Sequence, residues 1–257
     1  MREASDWPAP VDVVNEEGAS DVVLLCEHAS NHVPAEYNQL GLSAEQLHRH
    51  IAWDIGAAEV CRRLSHLLDA PAFLGTYSRL VIDLNRPLSA ADSMPATSEG
   101  IIVPANAHLD AEEAARRVNT IFAPFHQRVA SHLDQRIATN RPTRLVSIHS
   151  FTPVFFGVAR RWHAGVLFAG AAHFGNVALA RLQHAGLLIE ANEPYKTDRL
   201  GDYAIPIHGD DRGIPAIMLE IRNDEITDTV GADWWARWIA NSLDANIGVS
   251  RARGEGR

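Results

Sequence analysis

Three short, almost unbroken apolar runs, each ending in a histidine or a carboxylate, constrain this 257-residue chain most. Residues 144–150 read RLVSIHS, where Leu145, Val146 and Ile148 carry the strand signal and His149 closes the run. Residues 21–28 read DVVLLCEH and end in Glu27 and His28. Residues 215–222 read PAIMLEIR, with Glu220 and Arg222 near the end. Such runs suit strands buried on both faces of a parallel sheet. In open α/β sheets the ligand crevice lies at the carboxyl ends of the strands. The three runs therefore predict two histidines and two glutamates on one rim, a plausible shell for a metal and a general base.

Between these runs the pattern turns helical. Residues 43–69 read as one strong helix, with Ser43 and Gln46 at capping-box spacing and Leu47, Ile51, Ile55 and Ala58 as its inward stripe. Asp54 sits beside that stripe. A buried carboxylate needs a partner; an arginine, a backbone N–H and a metal all qualify. Residues 110–138 read as a second helix, N-capped by Asp110 and kinked or broken at Pro124, with His126 and His132 at outward or boundary positions. Residues 176–184 form a third, ending before Gly186 as C′ residue, and residues 233–243 a fourth, packed down by Trp234, Trp235 and Trp238. Further strands are expected at 72–74, 79–86 (RLVIDLNR), 165–169 and 187–190. Arg79 and Arg86 flank the second of these. They suit a substrate carboxylate, or ion pairs with Asp83 that hold the loop. The loop at 191–203 crowds Tyr195, Lys196, Asp198, Arg199 and Tyr203 together, and His208 follows it.

Alternating strands and helices predict a three-layer α/β/α fold around a mainly parallel, mixed sheet. Residues 1–20 are expected as a loosely held arm, 21–247 as a single catalytic domain and 248–257 as a flexible tail. No run approaches the length that spans a bilayer, and the first residues lack the apolar core of a secretory signal, so a cytoplasmic protein without membrane contact is expected. The net charge of −9, with no basic stripe, argues against a nucleic-acid partner. Cys26 and Cys61 sit in apolar patterns and are expected as reduced core residues.

Histidine and carboxylate donors without thiolates fit a catalytic zinc, which takes about three protein ligands and leaves a position for water. A nearby glutamate can then move the proton. G-x-S-x-G, H-E-x-x-H, a P-loop and G-x-G-x-x-G are all missing, and adjacent His149 and Ser150 on a strand would point opposite ways, which makes them a poor dyad.

The motifs CEHASNHVP (26–34), AWDIGA (52–57), SRLVIDLNRP (78–87), SIHSFTP (147–153), NEPY (192–195) and HGDDRGIPAIMLEIRND (208–224) together resemble the N-formylglutamate amidohydrolase family. The resemblance runs in order over roughly residues 21–244. It implies a fold similar to zinc exopeptidases and hydrolysis of an N-acyl amino acid, N-formyl-L-glutamate to formate and glutamate in the namesake case. It implies one zinc per chain, held by His28 and His149 with Asp54 as the carboxylate ligand. Glu27 competes for that place; the exopeptidase H-x-x-E glutamate falls on Asn31 here. It further implies Glu220 as general base, Arg79, Asn85, Arg86 and Arg222 as holders of substrate carboxylates, and Tyr195 and His208 as orienting or oxyanion-stabilising groups. A metallopeptidase or other deacylase on the same scaffold, and a non-catalytic small-molecule binder, are the competing readings.

Overall fold

The computed structural model describes residues 7–183 and 186–243. Its centre is a seven-stranded mixed sheet. In chain order the strands are β1 (Val11–Val14), β2 (Val22–Cys26), β3 (Ala72–Gly75), β4 (Arg144–Phe151), β5 (Ala164–Leu167), β6 (Ile189–Ala191) and β7 (Ala216–Arg222). Their order across the sheet is β1-β3-β2-β4-β7-β5-β6. β3, β2, β4 and β7 run parallel, and β5 runs antiparallel to β7 with β6 parallel to it. β1 pairs antiparallel with β3, so part of the expected N-terminal arm is an edge strand of the sheet. The expected tail, 248–257, lies outside the described residues.

Both faces are covered, which explains why β2, β4 and β7 are buried almost throughout. Helices α1 (Ala57–Leu68), α3 (Ala172–Leu182) and α4 (Thr229–Leu243) cover one face, where Val60, Leu64, Leu182 and Trp235 meet Leu24, Val146 and Leu219. Helix α2 (Ala123–Ala138) covers the other, where Phe125, Val129 and Leu133 meet Val23, Leu145 and Met218. Cys26 and Cys61 are free thiols buried on the first face.

Five expectations are corrected. The helix expected over 43–69 is two pieces. The capping box at Ser43 forms, but the helix it starts, Ala44–Leu47, lasts one turn before an irregular passage to α1. Leu47 and Ile51 pack on the α2 face and Ala57 and Val60 on the other. The apparent stripe is thus two stripes serving opposite sides of the sheet. The strand expected over 79–86 is a buried loop. Leu80, Val81, Ile82 and Leu84 are all in the core, but their backbone is satisfied locally: Ser78 Oγ accepts from Leu80 N at 3.2 Å and Asp83 Oδ1 from Asn85 N at 2.8 Å. An apolar run does not separate a strand from a loop whose own polar side chains replace the ladder. The third correction concerns His126 and His132, which are buried. A π-helical turn, Val118–Phe122, precedes Pro124 and rotates α2 relative to the uninterrupted 3.6-residue period. Trp235 is core, whereas Trp234 is 43% exposed. The helix at 176–184 occupies Ala172–Leu182, and His184 lies outside the described residues.

Candidate active site

Three adjacent parallel strands bring the functional side chains to one face. Side chains alternate across a strand. Ser147 and His149 therefore share the face of Leu145, and Glu220 shares that of Ala216 and Met218. Glu27, just past β2, continues the side of Val23 and Leu25. The register pairs Glu220 with His149 and Leu25 with Ser147. Two loops complete the group. Asp54 N donates to His28 O at 3.0 Å, which ties the passage before α1 to the end of β2. Gly56, at φ +82°, turns the chain into α1, and a Cβ there would lie 2.3 Å from Ile226 O. The 79–86 loop supplies Arg79 and Asp83.

His28, Asp54 and His149 are buried, and one potential ligand atom from each lies within 4.8 Å of the others. Asp54 Oδ2 accepts from His149 Nδ1 at 2.9 Å and from Ser150 N at 3.1 Å, and it stands 3.5 Å from His28 Nδ1. His28 Nδ1 has no hydrogen-bond partner. The opposite nitrogen of each imidazole faces another carboxylate. His28 Nε2 donates to Asp83 Oδ1 at 2.7 Å, and His149 Nε2 lies 3.0 Å from Glu27 Oε2. Glu27 Oε2 also accepts from Ser147 Oγ at 2.6 Å. Arg79 bridges the two loop carboxylates, with Nη2 at 2.8 Å from Asp83 and Nη1 at 3.4 Å from Asp54.

The electrostatics are those of a cation site. Burial alone would raise the Asp54 and Glu27 pKa values, but His28 and His149 outweigh it at Asp54, and His149 and Ser147 do so at Glu27. Burial would likewise raise Asp83, yet Arg79 and His28 hold it far below the carboxylate range. His149 is pushed the other way. Burial disfavours its charge, but Asp54 and Glu27 raise its pKa well above the usual imidazole value. The enclosure thus pulls a proton onto the ring that lies between two carboxylates. The same donor set, two imidazoles and a carboxylate backed by outer carboxylates, could hold one metal ion. Asn31 is not part of this group; its Nδ2 donates to Leu47 O at 2.9 Å. Glu27 stands behind His149 rather than beside His28 and Asp54.

Beside the group opens a cavity of about 450 Å³ lined by His28, Asp54, His149, Glu220, Arg79 and Tyr195, among others. Glu220 is 6% exposed and its Oε2 has no partner. Burial and the charge of Asp54 outweigh His149 and Arg79 and raise its pKa to about 7. Tyr195 Oη accepts from Arg160 Nη1 at 2.7 Å. Asn85 and Arg86 also line the wall, but much of their bonding is structural. Asn85 Oδ1 accepts from Tyr203 N and Ala204 N, and Arg86 pairs with Asp92 and Asp202. Two expected site residues are not in the wall. Arg222 pairs with Asp224 and Glu225 beyond the end of β7. His208 is buried behind the site, where its Nε2 lies 2.9 Å from His126 Nδ1, and His126 Nε2 donates to Leu84 O. Asp83 as the partner of His28 and Ser147 as the partner of Glu27 are not among the residues expected from the sequence. The i, i+2 spacing of Ser147 and His149 on β4 is the sequence signal for the second.

This arrangement can be set against known proteins. A gene product of Agrobacterium tumefaciens has a crystal structure that matches with a TM-score of 0.90 at 35% identity, over 95% of this chain and 97% of that one. The N-formylglutamate amidohydrolase of Ralstonia eutropha JMP134 matches with a TM-score of 0.73 at 16% identity, over 95% of this chain and 99% of that one, a likeness of fold. No curated protein matches the chain. The profile of the N-formylglutamate amidohydrolase family matches residues 20–227, most of the chain. The chain therefore belongs to the N-formylglutamate amidohydrolase family, and with it to the amidohydrolases.

Proposed function

We propose that this protein is a zinc-dependent hydrolase that cleaves the amide bond of an N-acyl amino acid, an N-formyl-L-glutamate-like substrate yielding formate and the free amino acid, and that it works in the cytoplasm. The observation that carries this reading is the pairing of each imidazole with an outer carboxylate, His28 with Asp83 and His149 with Glu27, around a shared Asp54. Outer carboxylates of this kind orient ligating histidines and raise their basicity. His28, His149 and Asp54 would be the ligands. Zinc, when bound there, supplies a lowered pKa for water and a polarised scissile carbonyl.

The remaining work falls to the chain's own groups. Glu220 sits beside His149 across the β4–β7 register with one oxygen unpaired. With its pKa raised to about 7, it is poised to take a proton from the attacking water and return it to the leaving nitrogen. Arg79, tied to Asp54 and Asp83, fixes the loop carboxylates and lends positive charge to the developing oxyanion. Tyr195 offers a phenol in the cavity wall. Arg86 and Asn85 also line it.

Metal analysis of purified wild type and His149→Ala tests the ligand set. About one zinc per chain in the wild type and a loss of zinc in the variant are expected. A wild type that binds no metal after zinc reconstitution ends the zinc reading. Hydrolysis of N-formyl-L-glutamate by the reconstituted protein, followed by formate release, tests the reaction.

A further inference from the structure

The arginines that the sequence nominates for the substrate's carboxylates are all taken. Arg79 is held by Asp54 and Asp83, Arg86 by Asp92 and Asp202, and Arg222 by Asp224 and Glu225. Two other cations meet at Tyr195, a residue of the cavity wall, and among the described residues neither forms a salt bridge. Arg160 donates from Nη1 to Tyr195 Oη at 2.7 Å. Its guanidinium lies over the rings of Phe155, Tyr195 and Phe151, at 4.4, 4.8 and 5.7 Å from the ring centres. Phe155 and Tyr195 both line the cavity. Lys196, the chain's only lysine, follows Tyr195 and lines the cavity itself. The loop that presents Tyr195 and Lys196 is pinned at its start, where Phe168 N donates to Asn192 Oδ1 at 3.0 Å. Aromatic faces attract a guanidinium and fix its plane without neutralising it, and the donors on its edge remain for a planar acceptor.

We infer that Arg160 and Lys196 are the two cations that bind the two carboxylates of an N-formyl-L-glutamate-like substrate, Arg160 the α-carboxylate and Lys196 the side-chain carboxylate. This assignment rests on the hydrolase reading above and deepens it, with Arg160 and Lys196 in the place of Arg86 and Arg222 as carboxylate holders. A carboxylate that reaches Arg79 or Arg86 has to displace an acid already paired there. At Arg160 and Lys196 it gains a charge-assisted hydrogen bond with no acid to displace. The two ends of the substrate sort by distance from the scissile amide. Burial and the charge of Glu220 both raise the Tyr195 pKa, so the phenol, and the guanidinium bonded to it, stand near the proposed base. The α-carboxylate is carried by the same carbon as the scissile nitrogen and belongs there. The side-chain carboxylate lies beyond the methylenes of the substrate, a place for the compact ammonium on its long flexible stem.

Two measurements on the zinc-loaded protein test the clamp. The first compares N-formyl-L-glutamate, its α-amide and its side-chain amide, N-formyl-L-glutamine, as substrates of wild type, Arg160→Gln and Lys196→Met. In Arg160→Gln, kcat/KM should fall about tenfold to a hundredfold for N-formyl-L-glutamate and N-formyl-L-glutamine, the range of one hydrogen bond to a charged group. The α-amide, which lacks that contact already, should be handled as by wild type. Lys196→Met should give the crossed result, a loss on N-formyl-L-glutamate and the α-amide and none on N-formyl-L-glutamine. Arg160→Lys, which keeps the charge, should recover part of the loss seen in Arg160→Gln. No loss, or an equal loss on all three compounds as a merely structural role would give, overturns the assignment of that residue; interchanged patterns overturn the assignment of ends. The second measurement needs no turnover. Calorimetric titration of the same three compounds into zinc-loaded Glu220→Gln, alone and combined with Arg160→Gln or Lys196→Met, should show the same crossed pattern in Kd. If wild type hydrolyses none of the compounds but binding follows that pattern, the hydrolase reading fails and the clamp stands. Affinity changes alike for all three compounds, or no binding of N-formyl-L-glutamate, overturn the clamp whether or not the compounds are hydrolysed.

Discussion

At the scale of single residues, the site separates groups that touch the reacting atoms from groups that hold them. Glu220 belongs to the first kind. Glu220→Gln keeps the shape and removes the base, and its neighbours His149 and Asp54 keep their hydrogen bond. Turnover should fall by roughly 10²–10⁴ while zinc stays at one per chain, read by activity and metal analysis on the same sample. A fully active Glu220→Gln protein would remove the proposed base. Asp83 belongs to the second kind. It accepts from His28 Nε2 at 2.7 Å and is held by Arg79. Asp83→Asn keeps a group of the same size but removes the charge that fixes the imidazole. Zinc affinity should drop by roughly tenfold to a hundredfold, measured by chelator competition, and excess zinc should restore activity. A variant that binds zinc as tightly as wild type would show that Asp83 only closes the loop.

At the scale of elements, legibility followed burial. β2, β4 and β7 could be read because both sides of each are buried, and their endings delivered His28, His149 and Glu220 to the same rim. The passage from Leu47 to Ala57 could not be read as what it is. Its apolar spacing imitates one helix, although Leu47 and Ala57 serve opposite faces of the sheet. Nor could the 79–86 loop, since Ser78 and Asp83 supply hydrogen bonds that a strand would take from its neighbours. The π-helical turn before Pro124 hid the burial of His126. His208 and Arg222 lie outside the wall for a related reason: motif order gives proximity in the chain, but the cavity wall is decided by which side of a loop or strand end a side chain leaves. Gly56 shows what the passage needs. At φ +82° with Ile226 O 2.3 Å from any added Cβ, Gly56→Ala must shift backbone. A loss of roughly 1–3 kcal/mol is expected, measured by urea denaturation. Zinc affinity should fall with it, because the same turn presents Asp54. Unchanged stability and affinity would mean that the turn is soft.

At the scale of the whole molecule, the buried histidine pair behind the site should contribute a destabilising term as pH falls below the ordinary imidazole range. His126 and His208 lie against each other and are enclosed by Phe122, Phe125 and Tyr203. Burial lowers their pKa values to about 3 and about 4, with His208 opposing charge on His126 and Arg212 opposing it on His208. In the unfolded chain both titrate near 6.5. Above that pH both states are neutral and the pair's contribution is fully present. As pH falls below it, the unfolded chain binds protons that the folded protein refuses, so stability declines until the folded pKa values are reached. Each histidine costs about 1.4 kcal/mol per pH unit in that window. The lowered carboxylates Asp54, Asp83 and Glu27 act only nearer and below their ordinary range, but His132, lowered to about 4 by burial, adds to the decline in this window, while Glu220, raised to about 7, and His149, raised well above the imidazole range, oppose it; the pair's share is therefore the difference in slope between wild type and a variant of the pair. Urea denaturation of wild type and His126→Gln at intervals from pH 7.5 to 5 measures that difference. His126→Gln, which keeps a polar group toward Leu84 O and cannot take up a proton, should be less stable at pH 7.5 and show a shallower slope below 6.5. Parallel slopes in the two proteins would mean that the pair is protonated in the folded state, and that a buried cation sits behind the site where the packing argues for a neutral pair.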